Sequence, residues 1–135
     1  MNKKIISKLE CELKNIGDQI KLWRENREFR NILELKSFKT QADNKANNLI
    51  KHLLNKLDPD AIILSEEDEY LDDTRPEKYW LIDPIDGTAS WYDGFDGFVT
   101  QLAYIENHQT LYGAVYAPVM NKFWSAIKGD GAFLN

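Results

Sequence analysis

The chain has 135 residues, 43% apolar and 12% aromatic, enough for one domain with its own core and too apolar for a disordered segment. Its 17 basic and 22 acidic residues give a formal charge of -5 with no basic run, so sequence-independent binding to a nucleic acid backbone gets no support and an anionic substrate needs cations to hold it. Cys11 has no second cysteine to pair with, the N-terminal MNKKIISKLE lacks the apolar stretch of a signal peptide, and no run is long enough to span a membrane, so the expected location is the cytoplasm.

Ile5, Leu9, Leu13, Ile16, Ile20 and Trp23 recur at helical spacing and predict an amphipathic helix with Cys11 off its apolar stripe. RENREFR (24–30) continues or ends it, and LELKSFKT (33–40) reads as a short extended piece. Thr40-Gln41-Ala42-Asp43 is a capping-box pattern ahead of a second helical period through Ala42, Ala46, Leu49, Ile50, Leu53, Leu54 and Leu57, which Asp58-Pro59 stops.

From Ala61 the texture changes to short strand-like runs, AIILS, YWLIDPI, FVTQLAYI, TLYGAVYA and KFWSAI, separated by polar turns. Helices followed by closely spaced strands predict an α+β domain over residues 1–135, an antiparallel sheet covered by two long helices. The segment from Glu66 to Glu77 is the most polar and the expected mobile loop, and there is no internal repeat or linker. His52 in the second helix and His108 in the IENHQT turn read as solvent-facing or structural, and Asp93 to Gly97 as a tight polar turn, since the closing glutamate of a calcium loop is missing. The aromatic run Trp91, Tyr92, Phe95 and Phe98 reads as packing before it reads as a platform for a nucleotide base.

The chemistry concentrates where apolar runs end in charge. Ile62-Ile63-Leu64-Ser65 leads into Glu66-Glu67-Asp68, and Trp80-Leu81-Ile82 leads into Asp83 and Asp86. Two neighbouring strands would bring Glu66, Asp83 and Asp86 to one edge, where unit charges about 4 Å apart repel by roughly 4 kcal/mol at an effective dielectric of about 20. A hard divalent cation turns that repulsion into coordination: all-oxygen ligands favour Mg²⁺ or Mn²⁺, with Ca²⁺ also accommodated, and the absence of a His/Cys cluster argues against zinc. Gly87 allows a sharp turn and close approach to a ligand, and a short helix starting near Thr88 would point free N–H groups at an anion. The Thr88 hydroxyl can orient a water if a carboxylate accepts its proton. Asp43 is the candidate, although from spacing alone completing the capping box with Thr40 is the favoured account of it.

These segments, DPIDGT at Asp83 to Thr88, SEED at Ser65 to Asp68, KTQAD at Lys39 to Asp43 and YGAVYAPVMNKFWSAIKGDGAF at Tyr112 to Phe133, together resemble the inositol monophosphatase family, which includes the 3′(2′),5′-bisphosphate nucleotidases. The resemblance implies a Mg²⁺-dependent, lithium-sensitive phosphomonoesterase that uses an activated water. It makes Glu66, Asp83, the Ile85 carbonyl and Asp86 metal ligands, Gly87 and Thr88 phosphate contacts, and Thr88 and Asp43 activators of the water, with Glu66 assisting through its metal and Glu67 behind it. Members of the family continue into a second α/β half that supplies a further aspartate ligand and most of the substrate contacts, whereas the resemblance here covers the N-terminal half. That implies an incomplete metal cage, an apolar surface open to self-association or to a C-terminal half, and, as the alternative to an enzyme, a half-domain that binds metal or a partner without turnover. Features of the two branches are mixed: SEED and YAPVMN look like the nucleotidases, while Ala89-Ser90-Trp91 does not match their usual Lys-Glu-Phe, so the phosphate monoester is not chosen.

Overall fold

A computed structural model describes residues 3–25, 35–68 and 74–135, with the side chains of 35–40 outside the description. Two helices, α1 (Lys3–Glu25) and α2 (Leu35–Leu57), precede β1 (Ile63–Ser65) and β2 (Lys78–Asp86); a short α3 (Thr88–Asp93) then leads into β3 (Val99–Glu106), β4 (Gln109–Ala117), β5 (Lys122–Ile127) and β6 (Gly131–Leu134). The six strands form one sheet in sequence order. The expected α+β architecture is present: α1 and α2 pack on each other and cover one face, α2 lying over β1 and β2 and α1 over β3 and β4.

Each helix buries the stripe its spacing predicts. Leu9, Leu13, Ile16, Ile20 and Trp23 of α1 face the core together with Ile6, and Ala42, Ala46, Ile50, Leu53 and Leu54 of α2 do the same, while Cys11, His52 and His108 are exposed. The start of α2 differs from expectation. The backbone of 35–40 is helical, so this part of LELKSFKT is not extended, and residues 33 and 34 lie outside the described residues. Thr40 therefore sits inside a helix, where no capping box can form, because an N-cap needs a non-helical backbone and free N–H groups ahead of it. Nothing in LKSFKT breaks a helix, and its leucine, lysines and phenylalanine tolerate one.

Four of the five strand pairings are antiparallel, as short connections dictate, but β1 runs parallel to β2 with Ser65 beside Ile82. The connection from Glu66 to Glu77 is long enough to return the chain, and residues 69–73 of that expected loop lie outside the description. The Asn107-His108 turn between β3 and β4 has positive φ at both residues (50° and 61°), the geometry of a two-residue hairpin. The strand-like runs of the sequence end at Ile127; β6, four exposed residues, is additional.

The inner face presents Trp80, Tyr104 and Tyr112 in one row and Ile82, Leu102 and Ala114 in the next. Two tyrosines tie it to α1, with Tyr112 Oη donating to Glu10 at 3.2 Å and Tyr116 Oη to Asp18 at 2.7 Å. The outer face carries Leu81 beside Ala103 and a second row through Val115, Trp124 and Leu134. Among the described residues no helix lies over it, and Leu81 (39% exposed), Trp124 (38%) and Leu134 (59%) leave a large apolar surface open to solvent.

Gly17 lets α1 press against β4. A Cβ there would lie 2.8 Å from Tyr116 Cε1, closer still to Cδ1, and 3.1 Å from Pro118 Cγ. Alanine favours a helix by about 1 kcal/mol over glycine, but overpacking a fixed ring costs about 1–3 kcal/mol. Because the Asp18 bond holds that ring, Gly17→Ala is expected to lower stability in chemical denaturation; an unchanged or higher midpoint would mean that the helix can move off the sheet.

Candidate active site

Parallel pairing carries Ser65 to the same end of the sheet as Ile82, so the next residues, Glu66 and Asp83, emerge side by side. The Glu66 N–H still donates to Ile82 O at 3.1 Å, extending the ladder up to the first carboxylate. The turn behind it is self-bracing: Asp68 Oδ2 accepts from Ser65 N at 3.2 Å, Ser65 Oγ accepts from Glu67 N at 3.3 Å, and Lys51 of α2 pairs with Asp68 Oδ1 at 2.5 Å. Of the SEED carboxylates, Asp68 is therefore committed to structure, and exposed Glu66 is the one presented to the site.

In a regular strand, residues three apart point to opposite faces. Between Asp83, opposite Gln101, and Asp86, opposite Val99, two residues of β2 face one of β3, and this bulge returns both aspartates to the same side. Pro84 sits in the bulge, where a missing N–H is tolerated, and its carbonyl accepts from the buried Thr100 hydroxyl at 2.9 Å. Gln101 Nε2 then donates to Asp86 Oδ2 at 2.9 Å and to Asp83 Oδ2 at 3.4 Å. Gln101 and Thr100 were not singled out from the sequence; the available signal was a pair of polar residues inside the apolar run FVTQLAYI.

A cleft of about 470 Å³ opens beside Glu66, Asp83, Gln101 and Ala103. The Asp83 carboxyl is pushed up to about 7, first by burial, then by Glu66 beside it, with Asp86 adding repulsion and the Gln101 amide acting in the opposite sense. Its Oδ1 is buried with no hydrogen-bond partner among the described residues. The three carboxylates do not close into one cluster: among the described residues no three of His, Cys, Asp and Glu stand together as metal ligands, and an amide lies between Asp83 and Asp86. An all-oxygen group with an unsatisfied buried carboxylate oxygen still fits a hard divalent cation, which removes the cost of ionising Asp83.

Beyond Asp86 the chain turns at Gly87, whose φ of 86° is left-handed, and enters α3 at Thr88 as the sequence suggests. Thr88 is buried, and its Oγ1 lies 3.1 Å from Asp43 Oδ1 and 2.9 Å from Ile85 O. Asp43 is fully buried in α2 and reaches across 45 residues to Thr88, so the capping explanation fails and this pairing replaces it. The single Thr88 proton can serve either of these oxygens; given to Asp43, it leaves the Ile85 carbonyl oxygen free to accept or coordinate another group. Trp91 packs in the core with its Nε1 donating to Ile20 O at 2.9 Å, and Asp93 to Gly97 form the expected turn, with Gly94 at φ 85°.

The sequence profile of the inositol monophosphatase family matches residues 7–135, and the chain belongs to that family. It is 40% identical over 92 residues to the Escherichia coli 3′(2′),5′-bisphosphate nucleotidase CysQ, a match covering 67% of this chain and 37% of that protein. Over 100 residues it is 37% identical to the Thermotoga maritima fructose-1,6-bisphosphatase/inositol-1-monophosphatase, covering 74% of this chain and 38% of that one. The solved Thermotoga maritima IMPase superposes on all of this chain at a TM-score of 0.79 and 30% identity, with 52% of its own length covered. The chain thus spans about half of that solved relative. No helix among the described residues is long and apolar enough to cross a membrane.

The raised Asp83 carboxyl has a definite sign. Its folded value lies above the ordinary carboxylate value of 3.8, so folding favours the protonated form: this contribution to stability is full below about 4 and is lost as pH rises through about 7. Asp83→Asn is expected to stabilise the metal-free chain more at pH 8 than at pH 4.5, by about 1–2 kcal/mol once half-exposure is allowed for. Added Mn²⁺ should raise the wild-type midpoint and not the variant's; equal gains in thermal unfolding would remove Asp83 from the ligand set.

Proposed function

We propose that residues 1–135 form the N-terminal, metal- and phosphate-holding domain of a Mg²⁺-dependent phosphomonoesterase acting on a small sugar, inositol or nucleotide phosphate. The observation that carries this reading is the Asp43–Thr88–Ile85 arrangement, which begins two residues beyond Asp83 on β2, together with the Glu66–Asp83 pair. Support comes from the relatives, named for a fructose bisphosphate, an inositol monophosphate and a nucleoside bisphosphate, all phosphate esters of small hydroxylated rings or sugars.

Glu66, Asp83, the Ile85 carbonyl and Asp86 would hold Mg²⁺, with Mn²⁺ as a substitute and lithium as an inhibitor. Such ions, when bound, lower the pKa of a water and neutralise charge on the leaving oxygen. The remaining work belongs to the chain. Asp43 accepts the Thr88 proton, which turns the lone pairs of the threonine oxygen toward a water and fixes the direction of its attack. Burial of Asp43 keeps solvent from competing for that bond. The Gly87-Thr88 turn would place the phosphate, its left-handed backbone at Gly87 being one that a residue without a Cβ adopts at no steric cost.

A second reading, a half-domain that binds metal or a partner without turnover, is favoured by the open apolar outer face. In the first reading that face receives a C-terminal half; in the second it drives self-association or takes a partner.

Phosphate release from inositol 1-phosphate and 3′-phosphoadenosine 5′-phosphate with Mg²⁺, measured together with light scattering, distinguishes the two. The chain alone is expected to turn over poorly and to associate; joined to the C-terminal half of the Thermotoga maritima relative, it should become monodisperse, active and lithium-sensitive. Metal binding with no turnover in either form would establish the half-domain. In the active form, Asp43→Asn is expected to reduce turnover by about 100-fold or more while changing the unfolding midpoint little. A loss confined to stability would leave Asp43 a purely structural residue.

A further inference from the structure

Arg24 lies in the last turn of α1, and its side chain is only 12% exposed. Among the described residues it contacts the loop after α3. Nη1 donates to Phe95 O at 2.9 Å, Nη2 lies 3.5 Å from Asp96 Oδ1, and the guanidinium stands 5.2 Å from the centroid of the Phe98 ring. The loop it holds is the floor of the Gly87 turn: a Cβ on Gly87 would meet Gly97 O and Phe98 Cα, each at 3.4 Å. Gly87 O in turn accepts from Trp91 N at 3.0 Å, and one helical turn before Arg24, Ile20 O accepts from Trp91 Nε1. The end of α1 thus grips α3 through Trp91 and the loop beyond it through Arg24.

A loop with glycine at 94 and 97 has little conformational preference of its own, so its shape must be imposed from outside. The planar fork of arginine fixes two acceptors at once while its face lies over an aromatic ring, which a lysine cannot reproduce. We propose that Arg24 is a positioning residue for Thr88: by fixing Phe95 to Phe98 it holds Gly87 in its left-handed turn and so keeps the Thr88 hydroxyl on Asp43. Its value to the reaction rests on the reading of Thr88 as the group that orients a water, but the contact chain itself can be tested without metal, phosphate or turnover.

The backbone amide signals of the full chain, assigned by NMR, provide that test. Arg24→Met is expected to shift the Gly87 and Thr88 signals together with those of residues 94–97. Lys14→Met, which removes another α1 cation lying over an aromatic ring, Phe123 at 5.1 Å, should leave Gly87 and Thr88 in place. Shifts confined to 94–97 in Arg24→Met, or equal shifts of Gly87 and Thr88 in both variants, would overturn the proposal. If Arg24→Met does not fold, Arg24→Lys, which keeps the charge but loses the fork, is judged by the same criterion. Should Thr88 move as expected while Asp43→Asn leaves turnover intact in the completed enzyme, the positioning stands and the phosphatase reading of Thr88 fails.

Discussion

Everything at the site depends on the direction in which a three-residue strand is laid down. Because β1 runs parallel to β2, the carboxylates that follow both strands leave the sheet at the same end, Glu66 beside Asp83. Antiparallel pairing over the same residues would put Glu66 opposite Tyr79, toward the Lys78 end of β2 and roughly 13 Å from Asp83 at about 3.3 Å per residue. Parallel pairing needs a long return, and the chain supplies one between Glu66 and Glu77. The helix above then fastens both strand ends from one side, Lys51 to Asp68 behind β1 and Asp43 to Thr88 beyond β2.

A second constraint acts within β2. Two aspartates three residues apart cannot serve one ligand from a regular strand, so the backbone must gain a residue between them, and Pro84 marks the place. The surplus carbonyl of the proline is satisfied by Thr100, and the two aspartates are joined by Gln101. Three adjacent polar features, a bulge, a buried hydroxyl and a bridging amide, thus follow from one geometric demand. Burial and mutual repulsion raise the Asp83 carboxyl for the same reason: the fold gathers negative charge before any cation compensates it.

What could be read from the sequence was what local pattern encodes. Apolar stripes identified the buried faces of α1 and α2, and charge at the end of an apolar run drew attention to Glu66, Asp83 and Asp86, because such placement is costly without a use. Pairing direction is a long-range property, and short connections elsewhere in the sheet made antiparallel the default that β1 does not follow. Thr40 to Asp43 misled because a capping-box pattern and an interior helical turn can share the same letters; only the five helical residues before Thr40 separate them. Asp43 was legible as a residue of interest, but its bond to Thr88 spans 45 positions and required the fold. Arg24 gave no local signal and Gln101 only the weak one of a polar pair inside an apolar run, since a polar residue in a strand or an arginine near a helix end is ordinary until its partners are known. The four exposed residues of β6 offered too little pattern to register as a strand.

The brevity of β1 has a consequence for how the domain fails. A three-residue strand at the edge of a sheet, tied to α2 through the Lys51–Asp68 pair, is of the kind expected to open before the packed rows of β2, β3 and β4 come apart. Glu66 leaves with it. The carboxylate set can therefore be dismantled by a sub-global fluctuation that leaves the helices and the central sheet intact. Apparent affinity for any ion held there is scaled by the fraction of molecules in which that one edge is closed. Substitutions in the β1 turn would be silent in bulk unfolding and loud in ligand occupancy, so the competence of the domain is governed by its weakest strand and not by its core.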